Sequence, residues 1–178
     1  MTPFIQMRNF IAHQLSEYLS IPVILSNQLA PEQPYPYVMY TVLTHRIPAT
    51  GYGNRIWIPK RDAVITALEQ INHATISISC CSCDRWTQTD PPVYINGEDE
   101  AQTIAERAMD WFEHIGYYDL SSHGIVVVEV MEAHSRTDRF IDEVLRRYGF
   151  DIRIRYGEVM ERLDSAIETV SIISNHID

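Results

Sequence analysis

The alternation over Arg146–Tyr156 constrains this chain more than any other stretch. Its even positions are Tyr148, Phe150, Ile152, Ile154 and Tyr156, and its odd positions are Arg147, Gly149, Asp151, Arg153 and Arg155. Successive strand side chains point to opposite faces. The pattern therefore predicts a half-buried strand with an apolar face on a core and a polar face outside it. Two readings stand for that polar face. Its arginines pair with carboxylates of a neighbouring molecule, or they are simply solvated, since isolated surface ion pairs contribute little.

The residues before this strand predict a helix and a second strand. Asn96 is an N-cap candidate, because its side-chain oxygen can accept from free backbone N–H groups. Glu98, Asp99 and Glu100 follow in the first turn, where the helix dipole favours negative charge. Ala101, Ile104, Ala105, Ala108, Trp111, Phe112 and Ile115 then fall at helical spacing and form one buried stripe. Gly116 is the expected stop, as a left-handed C-terminal residue. Ile125–Val128 is a β-branched run without alternation, which predicts a strand covered on both faces.

The remaining segments follow the same logic. Phe4, Met7, Ile11, Leu15, Tyr18 and Leu19 predict a helix over Pro3–Leu19, with the proline suited to its first turn. Ile21–Leu25 is a short apolar run of strand type. Pro31, Pro34 and Pro36 mark a stiff connector. Tyr37–Ile47 is rich in β-branched and aromatic residues and predicts a strand. Pro48–Pro59, with Gly51 and Gly53, is expected to be a loop that carries Trp57 toward the core or a partner. Over Asp62–Cys83 two readings stand: a helix over Ala63–Ile71, since Val64, Ala67, Leu68 and Ile71 share a face, before a strand over Thr75–Cys83, or one long strand from about Val64, which is the favoured expectation. Asp84–Ile95 is a connector, and Ala166–Ile173 is a candidate closing strand. No repeat or linker divides the chain, so residues 1–178 are expected to form one α+β domain. Its mixed, mostly antiparallel sheet is flanked by an N-terminal and a central helix.

Composition narrows the chemistry. The net charge of −10 over 178 residues argues against a nucleic-acid grip, because phosphate binding needs clustered Lys and Arg. No apolar run approaches the ~20 residues that span a bilayer, and the first residues lack a signal-peptide pattern. Synthesis inside a cell is the expectation. Three clustered cysteines, Cys80, Cys81 and Cys83, do not suggest a disulfide framework. A zinc site normally takes four ligands in two spaced pairs. On a regular strand Cys80 points away from the other two, so strand cysteines are the simpler reading. The seven histidines are scattered. Neither a nucleophile elbow, a phosphate-binding loop nor a dinucleotide fingerprint is present. Metal binding by Glu98–Glu100 is the costlier account of charges that a helix start already explains.

Three stretches together resemble tailed-phage neck and tail terminator proteins. They are Ala108–Phe112, His123–Val128 and above all Arg146–Tyr156 with its Arg-Tyr-Gly-Phe-Asp core. Pro36–Tyr40, and Ile76–Cys83 followed by the Ala101–Ile115 helix, add to the likeness, which covers most of Tyr37–Ile173. The resemblance implies a small structural subunit of the virion, made in the host cytoplasm. Its copies would close into a hexameric ring that caps the tail tube and joins it to the head connector. The sheath would be a further neighbour in a contractile tail, and DNA would only pass through the lumen. No catalytic residue, cofactor, metal or membrane contact is implied. Trp57, Arg136, Arg147, Arg153 and Arg155 are the interface candidates. Glu98, Asp99 and Glu100 are the candidate lumen acids. The competing readings are a metal-dependent hydrolase with a dispersed site and a monomeric binding module using Trp57 and the proline stretch.

Overall fold

The computed structural model describes residues 3–26, 33–49, 51–60, 63–139 and 144–165. Helix α1 (Pro3–Leu19) buries Met7, Ile11, Leu15 and Leu19, the stripe its spacing predicts. It ends where Ser20 turns to a φ of 59° and its N–H reaches Ser16 O at 2.9 Å, a left-handed cap. Strand β1 (Val23–Leu25) runs parallel to β2 (Tyr37–Pro48). Strand β3 (Asn54–Pro59) and the long β4 (Ala63–Ser82) follow. The single long strand expected from about Val64 is thus present. The expected loop over Pro48–Pro59 is not: its second half pairs with β4, because Ile56, Trp57 and Ile58 are strand formers that find a partner edge.

A small hairpin of β5 (Arg85–Trp86) and β6 (Tyr94–Ile95) occupies the expected connector. Helix α2 (Gly97–Asp110) starts as predicted, with Glu98 N–H donating to Asn96 Oδ1 at 3.0 Å. It widens into a π-helical turn, Trp111–Ile115. The wider turn accompanies the burial of two consecutive aromatics, Trp111 and Phe112. Gly116 ends the helix for a different reason from the one expected. Its φ is −79°, in the ordinary region. A Cβ there would lie 2.5 Å from the Trp111 ring, so glycine is needed for space rather than for conformation. Helix α3 (Tyr117–Ser122) and strand β7 (Ile125–Val130) come next. The short β8 (His134–Ser135) and β9 (Asp138–Arg139) precede β10 (Val144–Ser165). The candidate closing strand Ala166–Ile173 lies outside the described residues.

The main sheet has the order β1-β2-β4-β10-β7, with β3 on β4 and the short β8 and β9 on β10. Apart from β1, the pairings are antiparallel. The fold is therefore the mixed α+β arrangement predicted. Both α1 and α2 pack on one face of the sheet. Their apolar stripes meet Ala74, Ile76, Ile78 and Cys80 of β4 and Phe150, Ile152 and Ile154 of β10. Phe112 meets Phe150 edge-on at 6.2 Å. The opposite face carries no helix among the described residues. Strand β7 departs from its expectation accordingly. Ile125 is buried, but Val126 and Val128 are exposed, so its apolar run is covered on one face only.

Candidate assembly surfaces

The pairing of β4 with β10 decides what this molecule presents. It runs without a bulge from Ser82–Arg146 to Ala63–Ser165. Only the first half lies under the helices. Beyond Asn72 and Tyr156 the ribbon continues as an arm, with β3 as its third strand. The nine arm residues of β10, Gly157–Ser165, extend about 30 Å at normal strand rise. Exposure changes accordingly. Ile154 is 0% exposed, whereas Val159 is 57% and Leu163 68% exposed.

The apolar face changes sides where the arm begins. In the covered half, even positions are apolar and odd positions are polar: Thr75, Ser77, Ser79, Asp151, Arg153, Arg155. In the arm, paired residues on the odd face are Ile56 with Ala67, Ile58 with Ile65, and Ile65 with Leu163. Val159 and Ile71 lie on the same face. This face of apolar side chains has no covering element among the described residues. Its charges are Glu69 and Glu161, neither with an ion pair among the described residues. Glu69, Ile71 and Val159 also line an open groove of about 710 Å³ at the arm root, beside the exposed Tyr52.

The even face of the arm is mixed: Val64, Leu68, Met160 and Trp57 stand beside charged groups, of which Glu158 and Asp164 are held by near neighbours. Glu158 accepts from Asn72 Nδ2 and lies 3.1 Å from Arg46 Nε. Asp164 accepts from Thr66 Oγ1 and Arg162 Nε, each at 2.7 Å. Trp57 stands on this face opposite Thr66 and is 66% exposed. It is presented by a strand, not by a loop.

The other expected residues fall into three places. Arg153 and Arg155 lie on the open sheet face. Arg153 pairs with Glu129 of β7, and Arg155 has no ion pair among the described residues beside exposed Val126. Arg136 lies across β4 and β10. It donates to Ser77 Oγ at 2.6 Å and Asp151 Oδ1 at 2.8 Å, and Gly149 leaves room for its side chain. Arg147 sits in register with Cys81, whose other neighbour is Tyr37. Burial and the adjacent Cys81 push the Tyr37 hydroxyl up to about 12.

The three first-turn acids are not equivalent. Burial alone would raise the Glu100 carboxyl, but hydrogen bonds from Arg85 and Ser82 outweigh it and hold it low. Glu98 accepts from Ser135 and Thr137 at 3.1 Å and lies 3.9 Å from Arg146. Asp99 is exposed, with no side-chain partner among the described residues. Nearby, Asp84 is held low by the Gly97 N–H and by Arg146. These contacts staple α2 to the end of the ribbon.

Sequence reasoning missed two exposed features. The hairpin presents Trp86 against Tyr94, with ring centroids 5.3 Å apart. The arm's apolar face is hidden in the sequence because Ile56 and Ile58 lie in a Gly- and Pro-bounded segment of loop composition, and the residues past Tyr156 show no strict alternation. Val159 and Leu163 share a strand face, but Glu161 stands between them and Met160 lies on the other side, so the alternation there is blurred. Among the described residues, no three His, Cys, Asp or Glu side chains gather closely enough to hold a metal ion. No helix there is long and apolar enough to cross a membrane.

Residues 9–178 match a family model described as phage neck terminator protein. No curated protein matches the chain.

Proposed function

The chain belongs to the phage neck terminator family, and on that premise we propose that six copies close into a ring on the tail tube. As a member, it is a structural protein of the phage neck and works among other head and tail proteins of the virion. In our reading the ring caps the tube and joins it to the head connector, and the sheath is a further neighbour in a contractile tail. The whole of residues 1–178 acts as one unit, made in the host cytoplasm before assembly.

The observation that carries this reading is the arm with its uncovered apolar face. Exposed contiguous apolar surface of this kind marks an interaction site. It continues the helix-free sheet face beyond Arg155, on the same side of the β4–β10 ribbon, where charged and polar groups give way to apolar ones. Two different patches on one subunit are what a closed heterologous ring requires. The acidic net charge favours a lumen that lets DNA slide through, since like charges repel. Asp99 is the first-turn acid most available for such a lining. Glu98 and Glu100 serve the α2 staple.

Light scattering across a concentration series, with and without purified tail tubes, tests the proposal. The expected result is a species of six times the 20.6 kDa chain mass, formed alone or on the tube. A chain that stays monomeric and leaves tubes uncapped overturns it.

A further inference from the structure

We propose that the apolar face of the arm seats on the open sheet face of the next copy, with its Glu69 and Glu161 directed at that copy's Arg155. This rests on the ring reading and names the two surfaces that meet. The argument begins with charge. The arm face carries Glu69 and Glu161, both exposed and outside any ion pair among the described residues. The open face carries three charged pairs or groups near β7. Arg153 is taken by Glu129 and Asp151 by Arg136, which leaves Arg155. An apolar patch holding unpaired anions thus faces a complementary surface where an unpaired cation stands beside exposed Val126 and Val128.

The pair cannot form within one chain. Glu161 lies six residues beyond Arg155 on the same straight strand, about 20 Å away. Glu69 lies four residues from His73, the register partner of Arg155, about 13 Å away. In the proposed contact the partner is therefore another molecule. A second copy supplies the matching surface, and the two patches differ, so each copy offers both halves. The groove at the arm root gives the seated neighbour a concave contact at Ile71 and Val159.

The test uses the full chain and three proteins: R155E, E161R and the doubly substituted chain. All three substituted positions, Arg155, Glu161 and Leu163, are exposed surface sites in strands, so circular dichroism should confirm unchanged folding. Each single reversal places like charges across a desolvated contact, which costs assembly heavily. Each should raise the concentration for half-assembly by about tenfold or more. The double substitution should restore assembly. A mixture of the two single variants should also assemble, because alternating copies meet with opposite charges at every contact. L163D should weaken assembly while leaving the monomer folded. If the single variants form rings as readily as the wild type, the surfaces are wrong and the ring reading survives. If the wild type forms no ring even on tubes, the ring reading itself falls and takes this inference with it.

Discussion

Two substitutions on the same strand should have very different costs. Ile152 and Leu163 both lie on β10, one under the helices and one on the arm. Ile152 is 0% exposed and stands in register between Ile76 and Val130. Ile152→Ala removes buried methyl groups and leaves a cavity, for a cost of about 2–5 kcal/mol. In a chain of this size that corresponds to a loss of about 5–20 °C in Tm. Leu163 stands in register with Ile65 on the uncovered face. Leu163→Ala should change stability by about 0.5 kcal/mol or less, or under about 2 °C. Thermal denaturation followed by circular dichroism, at concentrations where the chain is monomeric, reads both. Equal losses at the two sites would refute the reasoning, since they would mean that the arm is packed in the isolated subunit.

Gly116→Ala should destabilise by about 1–3 kcal/mol, because the new methyl must displace the Trp111 ring; a neutral effect in urea titration would contradict that contact. Acid should destabilise the α2 staple and the Arg136 cluster. Gly97 N–H and Arg146 hold Asp84 low. Glu100 and Asp151, though raised by burial, are brought down by Arg85 and Ser82 and by Arg136 and Ser77 respectively. Folded values below unfolded ones stabilise above the ordinary carboxylate range near pH ~4 and lose that contribution as pH falls through the folded values. Urea midpoints between pH 6 and pH 3 should therefore decline on acidification, and a rise would overturn the account. Thiol labelling of the native chain should modify Cys83 first. Cys80 and Cys81 are fully buried, and burial pushes the Cys80 thiol up, so rapid labelling of all three would be the contrary result.

Much of the architecture was legible because it rests on local periodicity. The alternation over Arg146–Tyr156, the stripe of α1 and the Asn96 cap each state a structure within a few residues. What the sequence concealed depends on distant partners. Ile56–Ile58 becomes a strand only because β4 offers an edge. The exposure of Val126 and Val128 follows from the lack of a helix on the second face among the described residues, which no run of valines reveals. Arg153 and Arg155 look alike on the strand, yet only one has Glu129 across from it. The face reversal beyond Tyr156 is only partly written in the sequence, since Met160 and Glu161 break the alternation, and its meaning needs the knowledge that the helix cover over the ribbon ends near Asn72 and Tyr156.

The β4–β10 ribbon also sets an order of events during folding. These strands look like a hairpin in space and are nothing of the kind in sequence. Even their nearest pair, Ser82 with Arg146, encloses α2, the π turn, α3 and β7. Their farthest pair joins Ala63 to Ser165. Non-local pairing is slow, because loop closure is costly until the intervening chain has collapsed. The ribbon is therefore expected to zip from the helix-covered end outward, with the arm the last segment to acquire its register. Pulsed hydrogen exchange should find amide protection at Phe150 before Val159, and the reverse order would contradict this route. In the ring proposed above, a nascent subunit would not offer its docking face before its body is finished, so the order in which the chain closes would keep half-folded copies from polymerising.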